Sequence, residues 1–290
     1  MSDDEPLSPE EAFALFGHDL RVAMLLELAD AEGRSLSFSE LRERVGERDS
    51  GKFNYHLKKL VGRFVGHDDE RDEYRLLYPG HHVIDVVQSG VYTERASVRA
   101  VDLDADCVHC GGGLWFDYDT VNSGRVRCRD CDRILLGFPF DPGGLTDREG
   151  SEVARAYDLR TRTMWQRAAR DVCPVCSGRV DAALDDDVAP KLAATHDHPV
   201  LAALDCEQCS FFVNAPVGSL LVWHPETVGF LAERGIDVRE RRLWELPFVV
   251  DPAAVEIAGR DPWRVRVTVA AGDCERVATV DESLSVVGFE

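Results

Sequence analysis

Residues 107–131 read CVHCGGGLWFDYDTVNSGRVRCRDC, and this stretch decides how the last two-thirds of the chain are read. Cys107 and Cys110 form one Cys-x-x-Cys pair, and Cys128 and Cys131 form a second, with 17 residues between the pairs. Two thiolates so spaced on a tight turn reach one tetrahedral ion, and two such pairs supply the four sulfurs of a closed structural zinc site. Gly111 and Gly112 follow the second cysteine, where positive φ lets backbone N–H groups approach the sulfurs. Leu114–Phe116, Gly124–Arg127 and Ile134–Leu136 read as flanking strands. Cys173, Cys176, Cys206 and Cys209 repeat the plan with 29 residues between their pairs. The expectation is two structural Zn2+ ions, each with its coordination shell closed by thiolates.

The repetition runs beyond the cysteines. Phe138-Pro139, followed by Gly143-Gly144-Leu145, is echoed by Ala215-Pro216-Val217-Gly218-Ser219-Leu220. Each copy then enters a helix, from Thr146 or Asp147 to Ala169 and from Pro225 to Arg234. The C-terminal part therefore divides into a zinc ribbon at 96–145, a connecting helix at 146–172, a second ribbon at 173–222 and an α/β segment at 223–290. Ala96 to Asp106 reads as the linker into the first ribbon. In the last segment, Arg264–Val269 and Glu275–Val280 alternate about a Gly272-Asp273 turn as a β-hairpin, with Ser285–Val287 as an added strand. His196 and His198 in the long loop could replace a cysteine, but complete thiolate sets make them unnecessary. His109 is expected to point outward, and the unpaired Cys274 to be a small buried residue.

Composition sets the surroundings. The formal net charge is −20, and Lys occurs only at Lys52, Lys58, Lys59 and Lys191. An acidic, Lys-poor surface resembles that of salt-adapted cytoplasmic proteins of halophilic archaea, where molar salt screens repulsion over about 3 Å. The start MSDDEPLSPEE is acidic and no apolar run approaches a membrane span. A cytoplasmic, reducing location follows, in which paired cysteines act as metal ligands rather than disulfides.

Upstream of the cysteines, the pattern is helical. Pro9 opens a helix with Phe13, Leu15 and Phe16 on its apolar side. After a break at Gly17–Asp19, with Asp19 as N-cap, Leu20, Ala23, Met24, Leu28 and Ala31 keep helical spacing. Ser37 and Glu40 fit a capping box opening a short helix that buries Phe38, Leu41 and Val45 and ends at Gly46. A further helix, Ser50–Leu60, aligns Phe53, Leu57 and Leu60 on one stripe and presents Lys52, Asn54, Tyr55, Lys58 and Lys59 on the other. Phe64-Val65, an acidic turn and Tyr74–Leu77 suit a two-stranded hairpin, and Tyr78 to Thr93 completes the domain as an apolar helix. That order is a winged helix-turn-helix over 9–95, giving an overall α+β class. Three of the four lysines lie on one helix of a strongly acidic chain, as a surface that meets a polyanion requires.

Arg21-Val22-Ala23-Met24-Leu25 and Ser50–Leu60, ending His56-Leu57-x-x-Leu60, resemble the ArsR-type winged helix-turn-helix transcriptional regulators, most nearly their haloarchaeal branch. The resemblance spans about residues 9–95. It implies a homodimer, with the first and last helices of the domain as its seam, that binds double-stranded DNA sequence-specifically. Asn54 and Tyr55 are the candidates for base edges, and Ser50, Lys52, Lys58, Lys59 and Arg63 complete the DNA-facing set, the lysines on phosphates. One departure matters: the segment contains no cysteine, so the metal-sensing thiolates of founding members are absent. The ribbon region is then an effector module or a platform for a protein partner. An alternative is a scaffold of the basal transcription machinery, since archaeal transcription factor E also joins a winged helix to a zinc ribbon. Enzymatic activity is not expected: His224-Pro225-Glu226 lacks the following P-C-x-x-C of zinc deaminases, and four thiolates leave no metal position for water.

Overall fold

The computed structural model describes residues 6–187 and 197–290 and divides the chain into two compact units, 1–94 and 95–290. Its class is mixed α+β, with eight α-helices and fourteen strands in antiparallel sheets among the described residues.

In the first unit, α1 (Pro9–Ala14) is opened by a capping box: Ser8 accepts from the Glu11 N–H, and Glu11 accepts from the Ser8 N–H. Helix α2 (Asp19–Ala29) is capped by His18 rather than by Asp19, because the His18 ring Nδ1 accepts the Leu20 N–H at 3.2 Å. It also ends earlier than the apolar spacing suggested. The capping box of Ser37 and Glu40 opens α3 (Phe38–Val45), which Gly46 closes at φ 75°, a left-handed conformation open to glycine at little cost. Asp49 accepts the Gly51 and Lys52 N–H groups at 2.9 and 3.0 Å and starts α4 (Ser50–Leu60).

The expected hairpin is β2 (Val65–Asp68) paired with β3 (Glu73–Leu76), but it gains a third strand, β1 (Leu36–Ser37), on the other edge of β3. Ser37 is the N-cap of a capping box, so the sequence marks Leu36-Ser37 as a helix entry while its backbone also fills the free side of β3. Helix α5 (Tyr78–Gln88) follows directly and turns Ile84 inward. Met24, Leu25, Leu41, Phe53, Leu57, Leu60 and Ile84 form this unit's own core, each at most 2% exposed.

The second unit opens on a strand, not a linker. β4 (Val98–Asp106) pairs with β5 (Gly113–Tyr118), which pairs with β6 (Ser123–Cys128) and then β7 (Ile134–Pro139), in the order β4-β5-β6-β7. Val101, Leu103 and Ala105 turn toward the core while Asp102, Asp104 and Asp106 face water. Helix α6 (Ser151–Ala168) is the central prop; it begins several residues later than its polar entry suggested and buries Tyr157, Thr161 and Trp165. β8 (Val180–Asp185), β9 (Leu201–Cys206) and β10 (Phe212–Pro216) form a second sheet, ordered β10-β9-β8. Helices α7 (Pro225–Ala232) and α8 (Pro247–Val250) lead into β11 (Val255–Arg260), β12 (Trp263–Ala271), β13 (Cys274–Asp281) and β14 (Val286–Phe289). The expected C-terminal hairpin is therefore the middle of a four-stranded meander, and Cys274 is exposed at its turn rather than buried.

All of this closes on one contiguous core, running from Phe116 and Tyr157 through Leu204 and Trp244 to Val267. The segments read as separate ribbons thus share a single interior. Inside it, Asp158 and Arg162 pair at 2.9 Å with side chains 5% and 2% exposed. Asp158 also accepts the Leu243 N–H at 2.8 Å, and Arg162 donates to the carbonyls of Val238 and Arg241, which pins α6 to the 238–243 segment. Burial pushes the Asp158 carboxyl up, and Arg162 opposes it.

Candidate metal centres and nucleic-acid interface

The internal repeat predicted from sequence is visible in strand register. Leu114, four residues after Cys110, pairs with Cys128; Val180, four residues after Cys176, pairs with Cys206. Beyond each sheet a strand ending in proline runs into a 3-10 turn, at Pro142–Gly144 and at Val217–Leu221, before the helix. Gly218 in the second turn lies so close to the Phe248 carbonyl that a Cβ would collide with it.

The turns that carry the cysteines correspond as well. The Gly111 N–H returns to the Cys107 carbonyl at 2.9 Å with φ 73°, and the Ser177 N–H returns to the Cys173 carbonyl at 3.0 Å with φ 63°. The Gly112 and Gly178 N–H groups then each donate to the preceding cysteine sulfur, Cys110 and Cys176, at 3.4 Å. The Gln208 and Cys209 N–H groups donate to Cys206 Sγ at 3.3 and 3.4 Å. Such donors stabilise thiolate over thiol. Burial raises Cys128, but the N–H groups of Cys131 and Asp130 outweigh it and bring the thiol down to about 7; Cys206 falls to about 7 by the same balance.

Each set converges on a point. Cys107, Cys110, Cys128 and Cys131 hold their sulfurs within 4.8 Å of one another, as do Cys173, Cys176, Cys206 and Cys209. The closest approaches are 3.9 and 3.4 Å in the first set, and 3.7 and 3.5 Å in the second. A tetrahedron with metal–sulfur bonds of about 2.3 Å has edges of about 3.8 Å, whereas a disulfide needs about 2.05 Å. The eight cysteines are therefore positioned to bind two metal ions.

The histidines take other roles. His109 does not face water: its side chain is 19% exposed and its Nδ1 lies 3.9 Å from Asp251. His198 is buried, its Nδ1 has no partner among the described residues, and burial brings it down to about 4. It belongs to neither cysteine set. His196 lies outside the described residues. His224 caps α7, its Nδ1 accepting the Glu226 N–H at 3.3 Å.

In the first unit, α4 separates its faces as its sequence indicates. Phe53, Leu57 and Leu60 are at most 1% exposed. Ser50, Lys52, Tyr55, Lys58 and Lys59 are exposed and Asn54 is half-buried. The Lys59 ammonium lies 5.7 Å from the Tyr55 ring centre. Lys58 and Lys59 form no ion pair among the described residues, but Lys52 is held by Glu47 at 2.9 Å. The hydrogen bond between them raises Lys52 and lowers Glu47. Arg63, half-buried beyond the helix, acts electrostatically on Glu11.

Sequence reasoning missed Glu47 as a tether, although an acid just before the helix and a lysine in its first turn are a readable signal. It also missed His56, a buried residue on α4 that stacks on His18 at 3.9 Å between ring centres and approaches Arg21 Nη1 at 3.5 Å.

Residues 104–286 match the model of a family described as "Domain of unknown function (DUF7351)", and residues 9–87 match one described as "Domain of unknown function (DUF7347)". No curated protein and no solved structure matches the chain. No helix among the described residues is long and apolar enough to cross a membrane.

Proposed function

We propose a function for a chain that belongs to the family described as "Domain of unknown function (DUF7351)": transcription regulation, with the first unit binding a specific DNA sequence as an ArsR-like winged helix-turn-helix and the second held by two structural zinc ions. The observation that carries this reading is α4. It exposes Tyr55, Lys58 and Lys59 on one face, in a chain of net charge −20 with only four lysines. Helix α3, a four-residue turn and α4, followed by the β2–β3 hairpin, supply the order in which a recognition helix enters a major groove and a wing lies alongside. On this reading Asn54 and Tyr55 meet base edges, Lys58 and Lys59 meet phosphates, and a homodimer reads two half-sites.

Zinc is the proposed metal because four thiolates in tetrahedral array suit it, and a filled thiolate shell leaves the ion a structural role. The test is chromatin immunoprecipitation of the tagged protein followed by footprinting on the recovered sites. Lys58→Glu with Lys59→Glu abolishes the footprint in a protein that keeps its helical signal; an unchanged footprint refutes the assignment.

A second reading, a scaffold bound to RNA polymerase, draws on Val175 and Phe212, which stand 59% and 66% exposed beside the second cysteine set. Co-purification of polymerase subunits without discrete genomic sites would favour it.

A further inference from the structure

The second unit contains a cavity of about 220 Å3 framed by α6, β9, the turn after β10 and β14. Trp165, Trp223, Leu220 and Leu284 supply apolar walls, and Arg170 and His224 stand among them. At about 30 Å3 per water molecule, the space corresponds to roughly seven waters, the size of a single ring with a short substituent.

Three of its polar groups carry donors that meet no acceptor among the described residues, beside Gln166 and Ser219, which both donate and accept. The Trp165 indole N–H is buried and has no partner among the described residues. A buried indole N–H ordinarily finds one. His224 accepts the Glu226 N–H at Nδ1, which places its own proton on Nε2; that N–H makes no hydrogen bond among the described residues. The Arg170 guanidinium likewise has no hydrogen bond or ion pair among them, which is also true of Arg155 of α6, whereas Arg160, Arg162 and Arg167 of that helix are bonded. In an acidic chain a carboxylate partner for Arg170 would be easy to supply.

We infer that this cavity binds a small monocarboxylate with a ring-sized apolar body, the carboxylate on Arg170 and the His224 N–H and the ring against Trp165, Trp223 and Leu220. Three unpartnered donors call for an acceptor, and a guanidinium pairs with a carboxylate through parallel N–H bonds. The apolar walls call for a hydrocarbon body. A single arginine matches a single negative charge. This site does not depend on the DNA-binding reading and is tested without DNA.

The probes are phenylacetate and indole-3-acetate, with benzyl alcohol and indole as uncharged counterparts, titrated into the full-length, metal-loaded protein by calorimetry. In parallel, the Trp165 indole N–H resonance is assigned by its loss in Trp165→Phe and followed by ¹H–¹⁵N NMR. Expected are saturable binding of at least one acid with a shift of that resonance, and at least a tenfold loss of acid affinity in Arg170→Glu, an exposed position whose change spares the fold. The uncharged rings bind more weakly than the acids and are indifferent to Arg170→Glu. Absence of saturation by both acids up to about 10 mM overturns the proposal. So does binding of the acids that Arg170→Glu leaves unaltered, or that leaves the Trp165 resonance unmoved.

Discussion

The sharpest test of the proposed recognition helix is salt dependence. Lys58 and Lys59 are exposed and form no ion pair among the described residues, while the Lys52 charge is matched by Glu47 at 2.9 Å. Each lysine that neutralises a phosphate contributes about 0.9 to the log–log slope of affinity against salt. Lys58→Ala with Lys59→Ala should therefore flatten the slope by about 1.8 per bound unit, which at 0.15 M salt is about a 30-fold loss of affinity. A dimer engaging both helices doubles the change in slope. Lys52→Ala should change it far less. Conversely, Glu47→Gln frees Lys52 and should steepen the slope by up to about 0.9 per unit while tightening binding. Fluorescence anisotropy on a footprinted site, across a potassium chloride series, measures all four proteins. An unchanged slope in the Lys58/Lys59 variant refutes the reasoning, and so does a Lys52→Ala effect as large as half that of the double variant.

In the second unit, Arg162→Met leaves Asp158 buried without its cation and should cost about 3–5 kcal/mol, a Tm fall of roughly 6–20 °C for a unit of this size. A loss below about 1 kcal/mol in chemical denaturation would contradict the buried-pair account, and Asp158→Leu with Arg162→Met should lose less than the sum of the single variants. Burial holds His198 at about 4 against an ordinary 6.5, so its contribution is fully present above pH 6.5 and is lost as pH falls toward 4. The unfolding free energy of the wild type, relative to His198→Gln, should drop across that window by about 3 kcal/mol; a pH-independent difference would show that His198 is not held neutral. Removing metal with a strong chelator should release two ions per chain and melt the second unit, while the first, with its separate cysteine-free core, keeps its own transition. Loss of both transitions together would contradict that independence.

The parts legible in the sequence are those with strong local chemistry. Ser37 with Glu40, Gly46 and the Phe53–Leu57–Leu60 stripe each carry a signal within one or two helical turns, and α3 and α4 lie where these put them. Both cysteine sets form as spaced, because a tetrahedral metal site needs only two tight turns brought together. What escaped depends on distant partners. The segment holding β4 reads as a linker in the sequence; the strand forms because β5 offers an edge and the core takes Val101, Leu103 and Ala105. β11 similarly waits on β12. His109 is largely covered, with Asp251, far along the chain, 3.9 Å from its Nδ1. Nothing within a ribbon's own sequence announces that its neighbour shares the same interior.

The division between the two basic residues bears on where a polyanion could bind. Trp115 lies under Arg127 and Arg129, at 5.4 and 5.6 Å from ring centre to guanidinium, which by composition alone looks like a nucleic-acid surface. Yet Arg127 is paired with Asp132 and Arg129 with Asp102, and Arg125 beside them is paired with Asp117 and Asp119. Planar guanidiniums hold carboxylates in fixed geometry, so these arginines are committed to the protein's own acids and brace the sheet. Displacing those acids would cost a phosphate much of what it gained. On α4 the cations are lysines on flexible stems, and Lys58 and Lys59 have no carboxylate to displace among the described residues. The same acidic chain thus pairs these three arginines on one sheet and leaves two lysines available on α4. For that reason, the DNA-binding proposal rests on the first unit even though the cysteine clusters are the louder signal.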